Sequence, residues 1–495
     1  RPAELARLGA ATPPFRAAVA EACAHRLRAP CFALQAPQVS SGGARLAPAE
    51  RLLHRAQRQC AAARPTCVAS ENYSAGVDDK GRLLIWGRPG WLEARSAAVD
   101  AYAEADWPAL QPRVAVPVVG GGGGETPCVA GPGHEVKQVT IATLAASRHA
   151  VFALTSGGQL MYAQVRRRPD LAIHGVELHP LKELQGVEVV QVSTRYGQAF
   201  AVTSDGSVYA WGMKSGDLAR REHHCSMGFG EVTTLLHPSP LPGFGALAGQ
   251  TAVRSVAAGV SHTIFTTIFG EVFAVGRADS GKLGLGQPPA HGEQVLTPAK
   301  VHFGAQPAPA IVAAAAGARH SLFLAGSGEV WGCGCAEVGA LPSSARSDHG
   351  HRLWTPRHLD KVPCFCTSVA AGISLSFFVG ECGEVYFSGT AQQTPWPFGR
   401  DPRADPAVPL RVPGLRQIEQ VSVSMELSQF QWEHAVFVQQ DGGLFAWGHM
   451  GHGEFGPKGR ASDSSLVARL RTGAAPGFCN RVVPVEHWPG VPGGQ

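Results

Sequence analysis

An all-β fold is what this sequence predicts: a seven-bladed β-propeller closed by a C-terminal strand, with a partly helical N-terminal arm. Three observations predict it. The first is residues 256–286, VAAGVSHTIFTTIFGEVFAVGRADSGKLGLG, which read as three short strands. They are β-branched and aromatic, and Gly259, Gly270 and Gly276 punctuate them. The second is repetition. Stretches 72–87, 147–164, 189–212, 311–332, 368–389 and 420–448 repeat the pattern, at intervals of about 48 to 77 residues, the range of blades rather than solenoid turns. The third is composition: 60 Gly, 37 Pro and 44% hydrophobic residues in 495 suit many strands and turns around an ample core. A lone hairpin of this size cannot bury its own faces, so the copies must pack on one another.

Residues 1–64 stand outside the repeat and form the arm. Stretches 4–8, 17–27 and 49–63 are Ala- and Arg-rich and read as helical, broken at Pro13, Pro14 and Pro30. The arm holds ten Arg against three Glu and has no Lys or Asp. Organelle-targeting segments share that bias, so a mitochondrial location is expected. The plainer reading is a chain-wide preference for Arg, with a nuclear or cytoplasmic location as the alternative. No secretory signal opens the sequence at Arg1.

Residues 65–495 are read as the propeller, with insertions at 88–138 and 213–250. A net charge of +5 is small for this length and suits an ordinary soluble protein better than a nucleic-acid binder. The longest apolar runs, such as 311–316, are strand-sized and too short to cross a bilayer. Twelve cysteines are too sparse for a disulfide-held secreted domain and favour a reducing compartment.

The insertions carry the expected partner-binding residues. The first contains the run Gly120 to Gly124, either a flexible linker or a backbone lying against a partner. A phosphate cradle would need a preceding strand, a following helix and a Lys-Ser/Thr pair, which this run lacks. The second carries Arg220, Arg221, His223, His224 and Cys225, polar residues on a loop of a rigid scaffold, where binding functions concentrate. Gly120, Gly124, Arg220, Arg221 and His223 are therefore the candidates, against the plain alternative of solvated connectors. Near the end, 481–485 resembles 298–301 and 409–412. Because the first repeat shows no clear leading strand, the tail is expected to complete the first blade.

Side chains that invite chemistry receive structural readings. His149, His262, His320 and His434 share one register but belong to different repeats, so each is expected to hold a neighbouring loop by a hydrogen bond. Cys333/Cys335 and Cys364/Cys366 each place two thiols on one strand face. Four sulfurs could in principle hold zinc, but one intervening residue is not the usual ligand spacing, and buried inert thiols are expected. His349, His351, His449 and His452 lie in Gly-containing loops without a recognised ligand spacing. No HExxH, GxSxG or Gly-rich loop ending in GK[ST] is present. No catalytic, cofactor or metal residue is assigned, and the chain is read as a non-enzyme.

Together G-x-S-H-T, the turn glycine, V-F-A-V-G and G-K-L-G-L-G resemble the repeat of the regulator of chromosome condensation family, over roughly 66–456 and the tail. That resemblance implies a propeller of seven four-stranded blades. Members of the family include exchange factors for small GTPases, a plant ultraviolet photoreceptor, parts of ubiquitin ligases and mitochondrial assembly proteins, and fold alone does not choose among them. The photoreceptor branch carries G-W-R-H-T, whereas here the positions read GVSHT, GARHS and ASRHA, with only Trp432 comparably placed. Trp86, Trp211, Trp331 and Trp447 lie at strand ends and read as core aromatics. The second and sixth repeats are degenerate at 162–164 and 387–390. The function expected is a non-catalytic protein-interaction scaffold in a multiprotein complex, with nucleotide exchange on a small GTPase as the alternative. Direct base readout of nucleic acid and a transmembrane segment are not expected.

Overall fold

The structure, a computed structural model, describes residue 59 and residues 66–484 with gaps. The longer gaps are 88–112, 118–139, 165–175, 213–226, 246–250, 287–293, 345–350, 391–397, 399–404, 425–432 and 450–477. Apart from Gln59, the arm read as helical lies outside the described residues. Two compact units are distinguished, residues 1–64 with 190–421 and residues 65–189 with 422–495.

Seven blades of four antiparallel strands make a seven-bladed β-propeller. The first is β1 (Cys67–Ala69), β2 (Tyr73–Val77), β3 (Leu83–Gly87) and β4 (Arg113–Pro117). The second is β5 (Ile141–Ala146), β6 (Ala150–Thr155), β7 (Leu160–Gln164) and β8 (Val176–Pro180). The third is β9 (Val189–Arg195), β10 (Gln198–Thr203), β11 (Val208–Gly212) and β12 (Ser239–Pro240). The fourth is β13 (Val253–Ala258), β14 (His262–Thr267), β15 (Val272–Arg277) and β16 (Gln294–Lys300). The fifth is β17 (Ile311–Ala316), β18 (His320–Ala325), β19 (Val330–Cys335) and β20 (Arg352–His358). The sixth is β21 (Cys366–Ala371), β22 (Leu375–Gly380), β23 (Val385–Gly389) and β24 (Leu410–Arg411). The seventh is β25 (Ile418–Val423), β26 (His434–Gln439), β27 (Leu444–His449) and β28 (Phe478–Pro484).

Burial follows strand position. The second strands β6, β10, β14, β18 and β22 are buried at every residue, because both faces of a blade meet neighbours. First strands such as β17 are half-buried, and fourth strands such as β16 are the most exposed. In the unit holding 190–421, successive blades share apolar clusters. Phe200 meets Phe265 edge-on at 6.0 Å, and Ile264, Val272 and Ala274 pack with Phe323 and Cys333. Outer strands are sheet edges, open in every blade but the first two, where β4 and β8 pair with each other. Six of them carry a proline (Pro117, Pro180, Pro240, Pro298, Pro356 and Pro484), and Pro409 precedes β24. A missing N–H is a standard block to edge-to-edge pairing.

Consecutive blades are tied at one repeated point. The turn from the second to the third strand contains a glycine at φ between 72° and 90°. Its carbonyl accepts the N–H of the first residue of the next blade. Gly81–Ile141, Gly158–Val189, Gly206–Val253, Gly270–Ile311, Gly328–Cys366 and Gly383–Ile418 do so at 2.7 to 3.1 Å.

The C-terminal strand is present, but its partner differs from the one expected. β28 pairs with β27 (Ala446↔Val483) and so closes the seventh blade, not the first. The first blade has its own leading strand, the three-residue β1, too short to show a pattern. Segment 298–301 overlaps β16 and 409–412 contains β24, each the outer strand of its own blade. The tail resembles them because it does the same job. Within the unit holding 65–189 and 422–495, the first and last blades meet by packing. Cys67, Ala69 and Leu84 cluster with Val436, Val438, Leu444 and Ala446, and the Ala69 N–H donates to Ser422 Oγ at 2.9 Å. The first two blades also merge into one eight-stranded sheet, because β4, inside the stretch 88–138, pairs in parallel with β8.

Two glycines with nearly the same dihedral separate backbone strain from packing. Gly270 has φ +82°, and a Cβ there would lie 2.9 Å from Ala310 Cα. Gly186 has φ +83° with nothing within 4 Å. Gly186→Ala is expected to cost about 1 kcal/mol in denaturant unfolding, the left-handed penalty alone. Gly270→Ala should cost about 3 kcal/mol, since the blade contact must also open. Equal losses would refute the packing constraint.

Candidate functional site

The residues expected to bind partners, Gly120, Gly124, Arg220, Arg221 and His223, lie outside the described residues, as do His224 and Cys225. The structure shows where their loops are rooted. Residues 213–226 follow β11, within the connection from third to fourth strand, whereas 118–139 follow β4, within the connection to the next blade. Antiparallel strands put those two connections at opposite ends of a blade. The two halves of the expected site are therefore rooted in different kinds of connection, each at its own end of its blade.

The edges differ in kind. One carries the turns from second to third strand, four residues long at 156–159, 204–207, 268–271, 326–329, 381–384 and 440–443. The other carries the connections from third to fourth strand, which include 88–112, 213–238, 390–409 and 450–477. Long loops on a rigid sheet edge are where recognition surfaces form. Sequence reading found two of these loops through their length and polarity. It did not see that the connections 390–409 and 450–477 occupy the same place in their blades.

The histidines are interblade clips. His262 Nε2 lies 2.8 Å from Ser321 Oγ, His320 Nε2 is 3.0 Å from Ser376 Oγ, and His434 Nε2 is 3.1 Å from Ser74 Oγ. Each serine stands one residue into the second strand of the following blade. Ser321 Oγ donates to the Lys282 carbonyl at 2.7 Å and Ser376 Oγ to the Ala340 carbonyl at 2.6 Å. The hydroxyl proton is thus engaged, so in these two pairs the imidazole must donate from Nε2. The expected hydrogen bond to a loop is present, but it runs through a serine of the next blade. His149 lies outside the described residues, and the register position is filled by Ala150, opposite Gln164. In the first blade Tyr73 takes the histidine position, and its hydroxyl donates to the Ser147 carbonyl at 2.6 Å. Burial draws His320 down to about 4. Burial also holds His262 well below its ordinary value, with the charges of Lys282 and His320 adding to the shift.

Lys282, in the loop after β15, is buried, and its ammonium donates to Ser261 Oγ at 2.9 Å and to Asp279 Oδ1 at 2.7 Å. Burial alone would raise the Asp279 carboxyl, but the charge and hydrogen bond of Lys282, with the Arg277 charge and a backbone hydrogen bond, together outweigh it and hold the group below the usual carboxylate range. Lys282 thereby fixes the loop whose carbonyl receives Ser321 and, at 3.4 Å, the Cys333 thiol. Cys333 holds the strand position that Trp211 and Trp447 hold in the third and seventh blades. The loop passes this thiol only as glycine, since a Cβ on Gly284 would sit 3.1 Å from the sulfur. Trp211 and Trp447 are core aromatics as expected. Trp331 stands two residues earlier, half-buried between Phe303 and His358.

The four thiols of the two Cys-x-Cys pairs do not converge. Cys364 and Cys366 lie Sγ to Sγ at 3.9 Å, whereas Cys333 and Cys335 are in another blade. No group of three or more His, Cys, Asp or Glu side chains able to hold a metal occurs among the described residues. The hydrogen bond between the two thiols, and then burial, push Cys366 well above the ordinary thiol range. Burial does the same for Cys67 and Cys333.

Two measurements test these assignments. A histidine held neutral in the fold binds protons less readily than in the unfolded chain. His320 therefore contributes stability in full above its ordinary 6.5, and that contribution falls away as pH drops toward 4. The loss over this window is roughly 3 kcal/mol, and His320→Gln should flatten that part of the stability–pH curve. An unchanged slope would remove His320 from the account. In native thiol titration with an aromatic disulfide, exposed Cys382 should react within minutes while Cys67 and Cys333 wait for unfolding.

Comparison with known proteins follows this geometry. A regulator of chromosome condensation (RCC1) repeat is recognised at residues 270–324 and a second form of it at 311–339. The ultraviolet-B receptor UVR8 of Arabidopsis thaliana is 28% identical over 302 residues, 60% of each chain. Protein RCC2 of Homo sapiens is 29% identical over 140 residues, 28% of this chain and 23% of that protein. The chain thus spans at most about three-fifths of these relatives. Prp20p from Saccharomyces cerevisiae, studied for its binding to Gsp1p and histones, superposes with a TM-score of 0.51. It is 19% identical and covers 74% of this chain and 83% of its own, a likeness of fold. With the repeat recognised in sequence and seven blades standing in space, the chain is a seven-bladed propeller that carries regulator of chromosome condensation (RCC1) repeats.

Proposed function

We propose that this protein is a non-catalytic interaction scaffold, a propeller subunit or assembly factor of a multiprotein complex, located in mitochondria. One observation carries the reading. Within each blade the long connections gather at one edge, above sheets in which the buried His262, His320 and Lys282 are already engaged by their own hydrogen bonds. Such an edge offers contact area on a rigid base, which is what a scaffold needs. The arginine-rich, lysine-free arm supports the mitochondrial location. No helix among the described residues is long and apolar enough to cross a membrane.

A second reading, nucleotide exchange on a small GTPase, is supported by the fold likeness to Prp20p, the protein studied with Gsp1p. Affinity purification of the tagged full chain followed by mass spectrometry separates the two. The scaffold reading expects a stable, stoichiometric assembly that is indifferent to added nucleotide. A lone GTPase, captured best after nucleotide removal and released by GTP, would overturn it in favour of exchange.

A further inference from the structure

The short-turn edge of the fourth to sixth blades holds features that the scaffold reading leaves unused. Gln59 of the arm is buried there, only 8% exposed. Its Nε2 donates to the carbonyls of Ala325 and Cys366 at 3.3 and 3.4 Å. Those acceptors belong to consecutive blades, one ending β18 and the other starting β21. Acidic turns surround this seat. Glu329, whose Oε2 accepts from Ser327 Oγ at 2.9 Å, follows Gly328, whose carbonyl takes the Cys366 N–H, and the Glu381 N–H donates to the Phe365 carbonyl at 3.1 Å. Glu384 has a buried Oε2 with no hydrogen-bond partner among the described residues. Glu271, one blade back, is matched by Lys300 at 2.7 Å. Phe269 and Phe365 lie on the same edge, 48% and 52% exposed.

Carboxylates beside partly exposed aromatic side chains suit guanidinium groups, which bind the first by paired hydrogen bonds and the second by cation–π contact. The chain supplies such groups in the segment that runs into Gln59, with ten Arg against three Glu over 1–64. We propose that the edge made by turns 326–329 and 381–384, with Phe269 and Phe365, is the docking surface for this chain's own arginine-rich segment, seated by Gln59. The surface is then occupied in the free protein, and a basic segment of another protein reaches it only by displacing the arm. This assignment stands whether or not the propeller is a scaffold.

Limited trypsin digestion of the full chain, read by mass spectrometry at Arg51, Arg55 and Arg58, tests it. Cleavage there should accelerate about fivefold in Gln59→Ala and in the triple variant Glu329→Gln, Glu381→Gln, Glu384→Gln, because cutting follows the undocked population. Raised salt should accelerate wild type similarly. The thermal midpoint of Gln59→Ala should match wild type, which separates undocking from unfolding. If the triple variant does not fold, Gln59→Ala and the salt series decide alone. Equal cleavage rates in wild type and Gln59→Ala would overturn the proposal. Protection in wild type that disappears on dilution would show a second copy's arm on the surface and overturn the same-chain assignment.

Discussion

The hydrogen bond from a turn-glycine carbonyl to the first amide of the following blade is the contact on which the rest of this structure depends. It sets two demands on one residue. Gly270 must take φ +82°, and it must let Ala310 approach to a distance that a Cβ would forbid. A blade cannot pack on its neighbour at this spacing without meeting both, so the glycine stays in place, in turns of four residues in six blades and of five, 78–82, in the first. The bulge at the start of the next inner strand follows at once, between Val253 and Ser255, Ile311 and Ala313, and Cys366 and Ser368. There the strand bends away from the contact before it enters its own ladder.

That demand explains the asymmetry of the two edges. At the turn edge the tie is backbone to backbone, so insertion would pull the carbonyl off its amide. At the other edge backbone contacts such as Val260 N–H to the Gly317 carbonyl are joined by side-chain ties, from His262, His320 and His434 to a serine of the next blade. Side-chain ties leave the connection between third and fourth strand free to lengthen, since neither partner lies within it. The tie is also replaceable. Tyr73 substitutes in the first blade and Leu375 stands at the position in the sixth, whereas the turn glycines recur throughout. Variation in length therefore accumulates where a partner can use it.

Much of the fold was legible because these ties have sequence costs. A glycine at a fixed offset between two β-branched runs is the visible trace of the turn contact, and seven such traces suffice for the blades. The pairing of β28 was not legible. Outer strands are short and half-exposed and carry proline, so 481–485 shows likeness to other outer strands without showing which third strand it joins. The parallel pairing of β4 with β8 was invisible for a related reason, since five residues inside a long connection carry no periodicity of their own. The expected partner-binding residues were chosen by loop length and polarity, a criterion blind to edge. That is how Gly120 and Arg220 came to be grouped although their loops are different kinds of connection, each at its own end of its blade.

The motif residues that look most chemical prove to be the most architectural, and this bears on where function can reside. His262 and His320 are kept neutral by burial and hand their one proton to a serine. Lys282 uses its charge on Asp279 and its hydrogen bonds on Asp279 and Ser261, and Cys333 packs beneath a loop that passes it only with a glycine. A group already committed to holding two blades together cannot also be recruited by a ligand without loosening the pair. The repeat motif therefore reports the fold and is silent about the partner. What differs between members of such a family must lie in the segments the motif does not constrain: the long connections at one edge, the arm, and the charges placed beside the turn glycines. Glu329, Glu381 and Glu384 belong to that last class. The turn geometry fixes where they stand and leaves their chemistry open, which is what makes an otherwise structural edge available for recognition.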